Sequence, residues 1–553
     1  MKSPSNLSAI IKTLTADLSS KSVEIAEQRV ELEGKDIEIE ILTEEVKRLR
    51  AELYGRSSER HLEPVPFDEK DQPSLPVDLE DTDANVEGDD ELEPVTSQRK
   101  KKGGVCGRKP LPSYLRRVRV EYDLPEVDLI APEGFFFVKI GEVVTETLEV
   151  TPATVQVIQH VRNQYACRER EEYGVKIAPV PEQVIPKSIA GPGLLAHVLV
   201  QKYCYHLPFY RQEQIWAELD INLPRNTLCT WAMKCAEVLK PLAVILQQEI
   251  LKGGYVHADE TPISVQTQSH EKFKKKGSAP KPEVQMNNSY MWVYLNSIAH
   301  LVIYDYQEGR AGAHPLNFFK NFTGHVQADA YAGYDGMESD SIKLMGCMAH
   351  ARRKFADIVK TQPKHALAND ALRQFKVLYE VEEQIRIKSK ADLAAGRIID
   401  YEAIKLKRQE DAVPILERLK SWLTQLQPKA PPKGLLGKAI SYSLNNWDRL
   451  VVYLEAGYLN IDNNPVENAI RPFALGRKNW LFCGNHDGAR AAALIYSLIE
   501  SAKANHLKPF EYLRYVLTQI KSATTEAALL KLLPHHAKLD LSLDLHYKNA
   551  ASR

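Results

Sequence analysis

Ile11, Leu18, Ile25, Leu32, Ile39, Val46 and Leu53 recur every seven residues, and Leu7, Leu14, Leu42 and Leu49 fill the partner positions of the same seam. A helix with such a stripe exposes a long apolar face unless it finds a partner, so residues 5–60 are expected to form a leucine-zipper coiled coil and to self-associate. At 1.5 Å per residue the rod would run about 75 Å. Lys21, Gln28 and Lys35 sit on the seam at its middle, where polar residues fix register at some expense of stability.

The pattern then changes several times. Residues 61–104 are acidic, rich in Pro and almost without aromatics, a composition that cannot bury enough apolar surface to order itself. This segment is expected to be a disordered linker, ending in the basic run Arg99 to Lys102. Residues 105–185 alternate in short runs such as Phe135 to Ile140, Val143 to Val150 and Thr154 to Val161, which predicts a small β-rich module. Residues 186–250 read as helices. A break at Asp220 to Leu223 separates one ending near Leu219 from another opening at Pro224, the layout of a helix-turn-helix whose second helix would present Arg225, Asn226 and Thr227 to DNA.

From Gly254 the periodicity becomes that of strands, at Tyr255 to Ala258, Ser289 to Leu295 and Leu301 to Tyr306. A helix near Pro315 to Asn321 and a strand at Val326 to Ala330 follow. This order predicts a mixed sheet with helices. Residues 361–455 are helical by period and interrupt that unit, which resumes over 456–510 and leads to a helical tail at 511–553.

With 553 residues the chain has room for three or four domains. Its 44% hydrophobic and 26% charged residues, without an apolar run of 18, exclude a helical membrane protein. Lys12 and Asp17 interrupt any secretory core, and seven scattered cysteines do not make a disulfide framework, so a cytoplasmic location is expected. The net charge of −1 conceals an asymmetry: residues 1–100 hold 13 Lys and Arg against 25 Asp and Glu, and the remainder 59 against 48. The basic body suits a phosphate-rich partner.

Candidate chemistry lies at two strand ends. Tyr255, His257 and Asp259 share one face of the first strand, and Val326 to Asp329 repeats a strand running into an aspartate. A single Asp there is usually a turn residue, but two on neighbouring strands can form a cation site. Glu467, in Asp462-Asn463-Asn464-Pro465-Val466-Glu467, supplies a third carboxylate. Asn464 is the expected N-cap, Pro465 the first helical residue, and Glu467 also suits a capping box. The basic Arg471, Arg477 and Lys478, with Trp480, follow directly. Three such carboxylates can hold two magnesium ions for phosphoryl displacement, with manganese as a substitute.

The segments His257 to Pro262, Gln327 to Tyr334, Ala349 to Phe355 and Ile461 to Gly484, together with the zipper, Tyr54 to Glu59 and Gly193 to Gln212, resemble the insertion sequence sixty-six family of transposases. The resemblance covers nearly the whole chain. It implies a multidomain α+β protein with an RNase H-like catalytic domain, split over 251–360 and 456–510 around a helical insertion. It assigns the catalytic and metal-binding triad to Asp259, Asp329 and Glu467. It also implies binding of transposon-end and target DNA, with Arg352, Arg353 and Lys354 of the third segment among the DNA-facing residues, and possible element-encoded helper proteins. Members of the family carry a zinc module with two Cys-x-x-Cys pairs. Here Ala131-Pro132-Glu133-Gly134 replaces the first pair and Cys167-Arg168-Glu169-Arg170 keeps one thiol of the second, so the module at 105–185 is expected to be degenerate and without zinc. Cys347 and His350, with a Cys-x-x-His spacing, are expected to be core and phosphate-facing. The other readings are a catalytically inactive DNA-binding relative and an RNase H-like nuclease without strand transfer.

Overall fold

The computed structural model describes residues 111–539, apart from 112, 114, 131–135, 152–153, 168–171, 173 and 270–282, together with single positions at 21, 42, 43 and 46. The chain divides into one unit over Met1–Pro110 and another over Leu111–Arg553. The expected zipper and acidic linker lie almost wholly outside the described residues.

The second unit is mixed α+β. It opens with a sheet of β1 (Arg116–Tyr122), β2 (Phe137–Thr151), β3 (Thr154–Cys167) and β4 (Val175–Ile177), in the order β1-β3-β2 with β4 also against β3. The long β2–β3 hairpin is antiparallel, whereas β1 runs parallel to β3. Leu148 and Val157, paired across the hairpin, are fully buried. Leu148 also exchanges backbone hydrogen bonds with Ile189 and Gly191, which ties the hairpin to the start of α1 (Pro192–Tyr203).

α2 (Phe209–Glu218) and α3 (Arg225–Lys252) follow. Asp220 adopts a left-handed φ of 56°, and Ile221 N–H bonds back to the Trp216 carbonyl, so the chain reverses while Ile221 and Leu223 enter the core. The turn expected at Asp220 to Leu223 is where the chain breaks between the two helices.

The larger sheet contains β5 (Tyr255–Ser269), β6 (Glu283–Asn296), β7 (Leu301–Gln307), β8 (Gly324–Gln327) and β9 (Ile342–Met345), in the order β7-β6-β5-β8-β9. β5, β6 and β7 are antiparallel, and β5, β8 and β9 are parallel. α4 (Ala313–Phe318) connects β7 to β8. β5 runs eleven residues beyond the expected end at Ala258, through Pro262. Proline is tolerated there because β8 stops pairing at His257, which leaves β5 a single strand neighbour. β9 is an element the sequence pattern did not suggest.

α5 (Met348–Thr361) leads into the helical block of α6 (Ala366–Ala394), α7 (Tyr401–Leu426), α8 (Leu435–Asn445) and α9 (Trp447–Leu450). The chain returns through α10 (Asn464–Trp480) and α11 (His486–Ala504), and ends in α12 (Pro509–Gln519) and α13 (Glu526–Leu530). Helix α11 covers the edge strand β7. Ser501 and Ser497 hydroxyls accept the otherwise unpaired N–H groups of Val302 and Tyr304, each at 2.8 Å, so this edge presents no free donors there.

The two faces of β5 enter different cores. Val256 and Ala258 pack with α3, α11 and α12, while Tyr255 joins Met345, Phe355, Phe375 and Leu419 beneath the helical block. Arg408 of α7 is buried at 3% exposure and pairs with Glu382 through two 2.8 Å bonds. Its Nη1 donates to the carbonyls of Tyr453, Ala456, Gly457 and Leu459, the segment that carries the chain out of the helical block.

Candidate active site

The parallel register of β5 and β8 sets Val256 opposite Val326 and His257 opposite Gln327. Two residues further along each strand stand Asp259 and Asp329. Asp259 therefore lies within β5, just past the point where β8 stops pairing, and Asp329 lies two residues beyond the end of β8, whose path runs about 4.8 Å from that of β5. Asp259 Oδ1 accepts the Glu260 amide of the same strand at 2.9 Å, and Asp329 Oδ1 accepts the Tyr331 amide of the loop that follows β8 at 3.0 Å, so each carboxylate is oriented by the backbone just beyond it.

Glu467 approaches from the first turn of α10. The expected capping arrangement is replaced by another: Asn464 is already the first helical residue, Asn463 stands at the cap position without a side-chain capping bond, and Asp462 Oδ1 receives the Asn464 amide at 3.1 Å. Glu467 is thereby released from capping. Its Oε2 accepts from Arg353 at 3.3 Å, and its Oε1 lies 3.7 Å from His350 Nε2.

Asn463 fixes this helix to the sheet. Its Nδ2 donates to the Ala258 carbonyl at 2.9 Å, its Oδ1 accepts from His257 Nδ1 at 2.9 Å, and its backbone N–H bonds to Cys347 Sγ at 3.2 Å. Asn460 Nδ2 donates to the other ring nitrogen of His257 at 3.1 Å. This network assigns His257 the neutral tautomer protonated on Nδ1, in accord with burial that pushes its pKa down to about 4.

Burial, followed by the charge of Glu260, pushes Asp259 up to about 8; the Glu260 amide opposes this, and Asp329 and Glu467 add to the rise. Glu260 is also raised, chiefly by burial, although Tyr334 and Arg310 donate to it. Glu467 Oε1 is buried and has no hydrogen-bond partner. Crowded carboxylates and an orphaned acceptor are what a divalent cation would relieve, so the residues present fit magnesium. Cys347, His350 and Glu467 also offer ligand atoms within 4.8 Å of one another. Burial pushes the Cys347 thiol up to about 12, and its sulfur accepts from Asn463, so it serves as a brace and not as a thiolate ligand.

The basic residues divide into two groups. Arg353 is engaged with Glu467, and Arg477 donates to Thr261 Oγ1 at 3.1 Å and to the Pro262 carbonyl, bracing α10 against β5. Lys354 lies over the Tyr442 ring at 5.3 Å, and Arg352 is half-buried beside it on α5. Arg471 and Lys478 are exposed on α10, and Arg225 and Asn226 are exposed at the start of α3, where Thr227 is half-buried. The sequence reading missed His257, Asn460 and Asn463 as parts of the site. Their signal was present in the shared parity of His257 with Asp259 and in two asparagines just ahead of Glu467.

Residues 187–491 match the profile described as "Transposase IS66 family", and residues 497–535 match "IS66 C-terminal element". Residues 41–120 match "Transposase C of IS166 homeodomain". Among similar chains, "Uncharacterized protein y4jD" of Sinorhizobium fredii (strain NBRC 101917 / NGR234) is 33% identical over 439 residues, covering 78% of this chain and 82% of its own. "Uncharacterized protein y4hP" of the same strain is 28% identical over 506 residues, covering 86% of this chain and 85% of its own. A solved structure, "Crystal structure of a pre-cleavage Mos1 transpososome", aligns over 50% of this chain and 80% of its own at 12% identity, with a TM-score of 0.12. The expectation that the β module excludes zinc is corrected: residues 134–169 match "zinc-finger binding domain of transposase IS66". That expectation weighed only the missing thiols, whereas the matched segment covers most of the β2–β3 hairpin. No helix among the described residues is long and apolar enough to cross a membrane. The family profile spans more than half of the chain, from α1 to the start of α11, and includes all three carboxylates of the site; the chain belongs to the IS66 family of transposases.

Proposed function

We propose that this transposase cuts DNA at the ends of its element and joins the cut strand to target DNA, using Asp259, Asp329 and Glu467 as metal-binding catalytic carboxylates. The observation that carries this reading is the parallel register of β5 and β8, which brings Asp259 beside Asp329 and onto which Asn463 locks the helix bearing Glu467. A five-stranded sheet, antiparallel on one side and parallel on the other, supports an RNase H-like catalytic domain assembled from 251–360 and 456–510. Two magnesium ions, or manganese in their place, would activate the attacking oxygen and stabilise the leaving oxygen of the phosphodiester. Asp259 would hold them from β5, Asp329 from the loop after β8 and Glu467 from α10. Arg353 aims Glu467 through its hydrogen bond to Oε2, and His257 with Asn463 holds the spacing between helix and sheet.

Exposed Arg225, Asn226, Arg471 and Lys478 would contact DNA, with Thr227, Arg352 and Lys354 at the edges of those surfaces. Self-association through 5–60 would pair two element ends, with element-encoded helpers as further partners and the nucleoid in the cytoplasm as the site of action. The test uses a labelled duplex from the DNA flanking the reading frame. Asp259→Ala, Asp329→Ala and Glu467→Ala should each abolish magnesium-dependent cleavage and joining. End binding should change by no more than about twofold, because Lys and Arg contacts to phosphate dominate affinity. An Asp329→Ala protein that still joins strands would overturn the assignment, and a wild-type protein that cuts but never joins would replace it with a nuclease.

A further inference from the structure

Apart from the three carboxylates of the candidate active site, Glu249, His535 and His536 offer three ligand atoms that all lie within 4.8 Å of one another. The cluster is built by packing. Glu249 is half-buried in the last turn of α3, just before the strand that carries Asp259. On the other side, Leu532, Leu533 and Pro534 are buried, and Tyr512 of α12 donates to the Leu532 carbonyl at 3.0 Å. The chain then turns, with the His536 and Ala537 amides bonded to the Leu533 carbonyl, and presents two adjacent imidazoles to the end of α3. Their ring centroids are 4.0 Å apart, tilted by 43°.

The polar bookkeeping of this cluster is incomplete. His535 Nδ1 is buried without a hydrogen-bond partner. His535 Nε2 stands 3.7 Å from Glu249 Oε2, too far for a hydrogen bond. Two ligands at about 2.1 Å from one ion, separated by a tetrahedral angle, lie about 3.4 Å apart, so the Glu249–His535 pair is already near that spacing and His536 lies within a side-chain rotation of it. Lys252 takes the other oxygen, Oε1, which leaves Oε2 directed at the histidines.

We propose that Glu249, His535 and His536 bind a divalent transition-metal ion, zinc by ligand type, that clasps the C-terminal segment to the end of α3. Two imidazoles and one carboxylate favour zinc over magnesium, which takes oxygen ligands. Three protein ligands leave a fourth position for water on the exposed side of His536. Lys252 opposes the ion by charge and is itself exposed, so it moves aside on binding.

The test uses the full chain stripped with EDTA, then titrated with zinc chloride and, separately, with cobalt chloride and magnesium chloride. Any zinc taken up by the hairpin at 134–169 is common to every variant and cancels. Wild type should bind one more zinc per chain than the His535→Ala/His536→Ala double variant, and its cobalt form should carry a tetrahedral visible absorption that the variant lacks. Glu249→Gln should weaken this site by about tenfold or more, and Lys252→Met should tighten it. Zinc should raise the unfolding temperature of wild type more than that of the double variant, and magnesium should not. His536→Ala alone alters one exposed side chain and keeps the comparison sound if the double variant misfolds. Equal zinc stoichiometry in wild type and in the histidine variants would overturn the proposal.

Discussion

His257 Nδ1 donates to Asn463 Oδ1 across 206 residues of sequence, and this 2.9 Å bond joins the strand of Asp259 to the cap of the helix that carries Glu467. Both residues are almost fully buried, so neither can turn to water if its partner is lost.

Removing either partner therefore strands buried polar atoms. His257→Ala and Asn463→Ala should each destabilise the chain by about 2–4 kcal/mol, from the unsatisfied groups and the cavity together. The double variant should lose less than the two singles combined, because they share one network. Urea unfolding of the four proteins measures this directly, and strict additivity would show that the bond is not a functional link.

Removal of divalent cations should expose the electrostatic strain at Asp259. The unfolded carboxyl ionises near pH 3.9, whereas the folded one, raised to about 8, keeps its proton through that window. The folded state then binds more protons than the unfolded state, so in EDTA this group's contribution to stability falls as pH rises from about 4 to about 8. Asp259→Asn, which cannot ionise, should melt several degrees above wild type at pH 8 in EDTA, on the order of 1–3 kcal/mol. Added magnesium should raise the melting point of wild type and leave that of the variant nearly unchanged. Melting curves across pH with and without magnesium check both statements.

The helical block acts on the site through Arg408. Its guanidinium has a bidentate bond to Glu382 and reaches four carbonyls of the segment that delivers the chain to Asn460 and Asn463. Arg408→Met should destabilise by about 3–5 kcal/mol, since it leaves Glu382 and those carbonyls uncompensated. Arg408→Lys should recover little, because a point charge cannot form the same fork. Both variants should lose DNA cleavage through displacement of Glu467, and a variant that unfolds more readily yet cleaves normally would separate the helical block from the site.

Much of this architecture was legible in the sequence because it is periodic. The alternation in Tyr255 to Asp259 places Asp259 on a strand and that in Val326 to Asp329 places Asp329 just past one, and Pro224 and Asn464-Pro465 mark helix starts near their observed positions. What escaped was long-range or contrary to local preference. β9 is four residues long, too short for a pattern to stand out. The far half of β5 contains Pro262 and is held by β6 and by Cys483, whose N–H and carbonyl bond Ser264 and Gln266. Arg477 looked like a phosphate ligand and is a brace between α10 and β5, since charge alone does not say what a guanidinium faces. Asn463, a residue usually read as a turn former, proved to be a buried junction whose three partners come from β5 and from the cap of α5.

Asp329 reaches its place because β8 begins against the start of β5, where Gly324 meets Gly254. Gly324 has a φ of +144°, where side chains are rarely accommodated, and a Cβ there would stand 2.1 Å from the Gly254 carbonyl oxygen. That carbonyl also accepts the His325 amide at 2.8 Å, which starts the parallel ladder, so neither backbone can retreat without breaking it. Gly324→Ala should therefore destabilise by about 2–4 kcal/mol and displace β8 along with Asp329. Gly336, whose Cβ would meet nothing within 4 Å, is the matched control, and Gly336→Ala should stay within about 0.5 kcal/mol of wild type. Urea midpoints at unchanged slope would give both values. DNA cleavage by Gly324→Ala should fall further than its unfolded fraction accounts for, since the aspartate moves even in folded molecules. An alanine at 324 that leaves midpoint and cleavage intact would show that this close approach is not what positions Asp329.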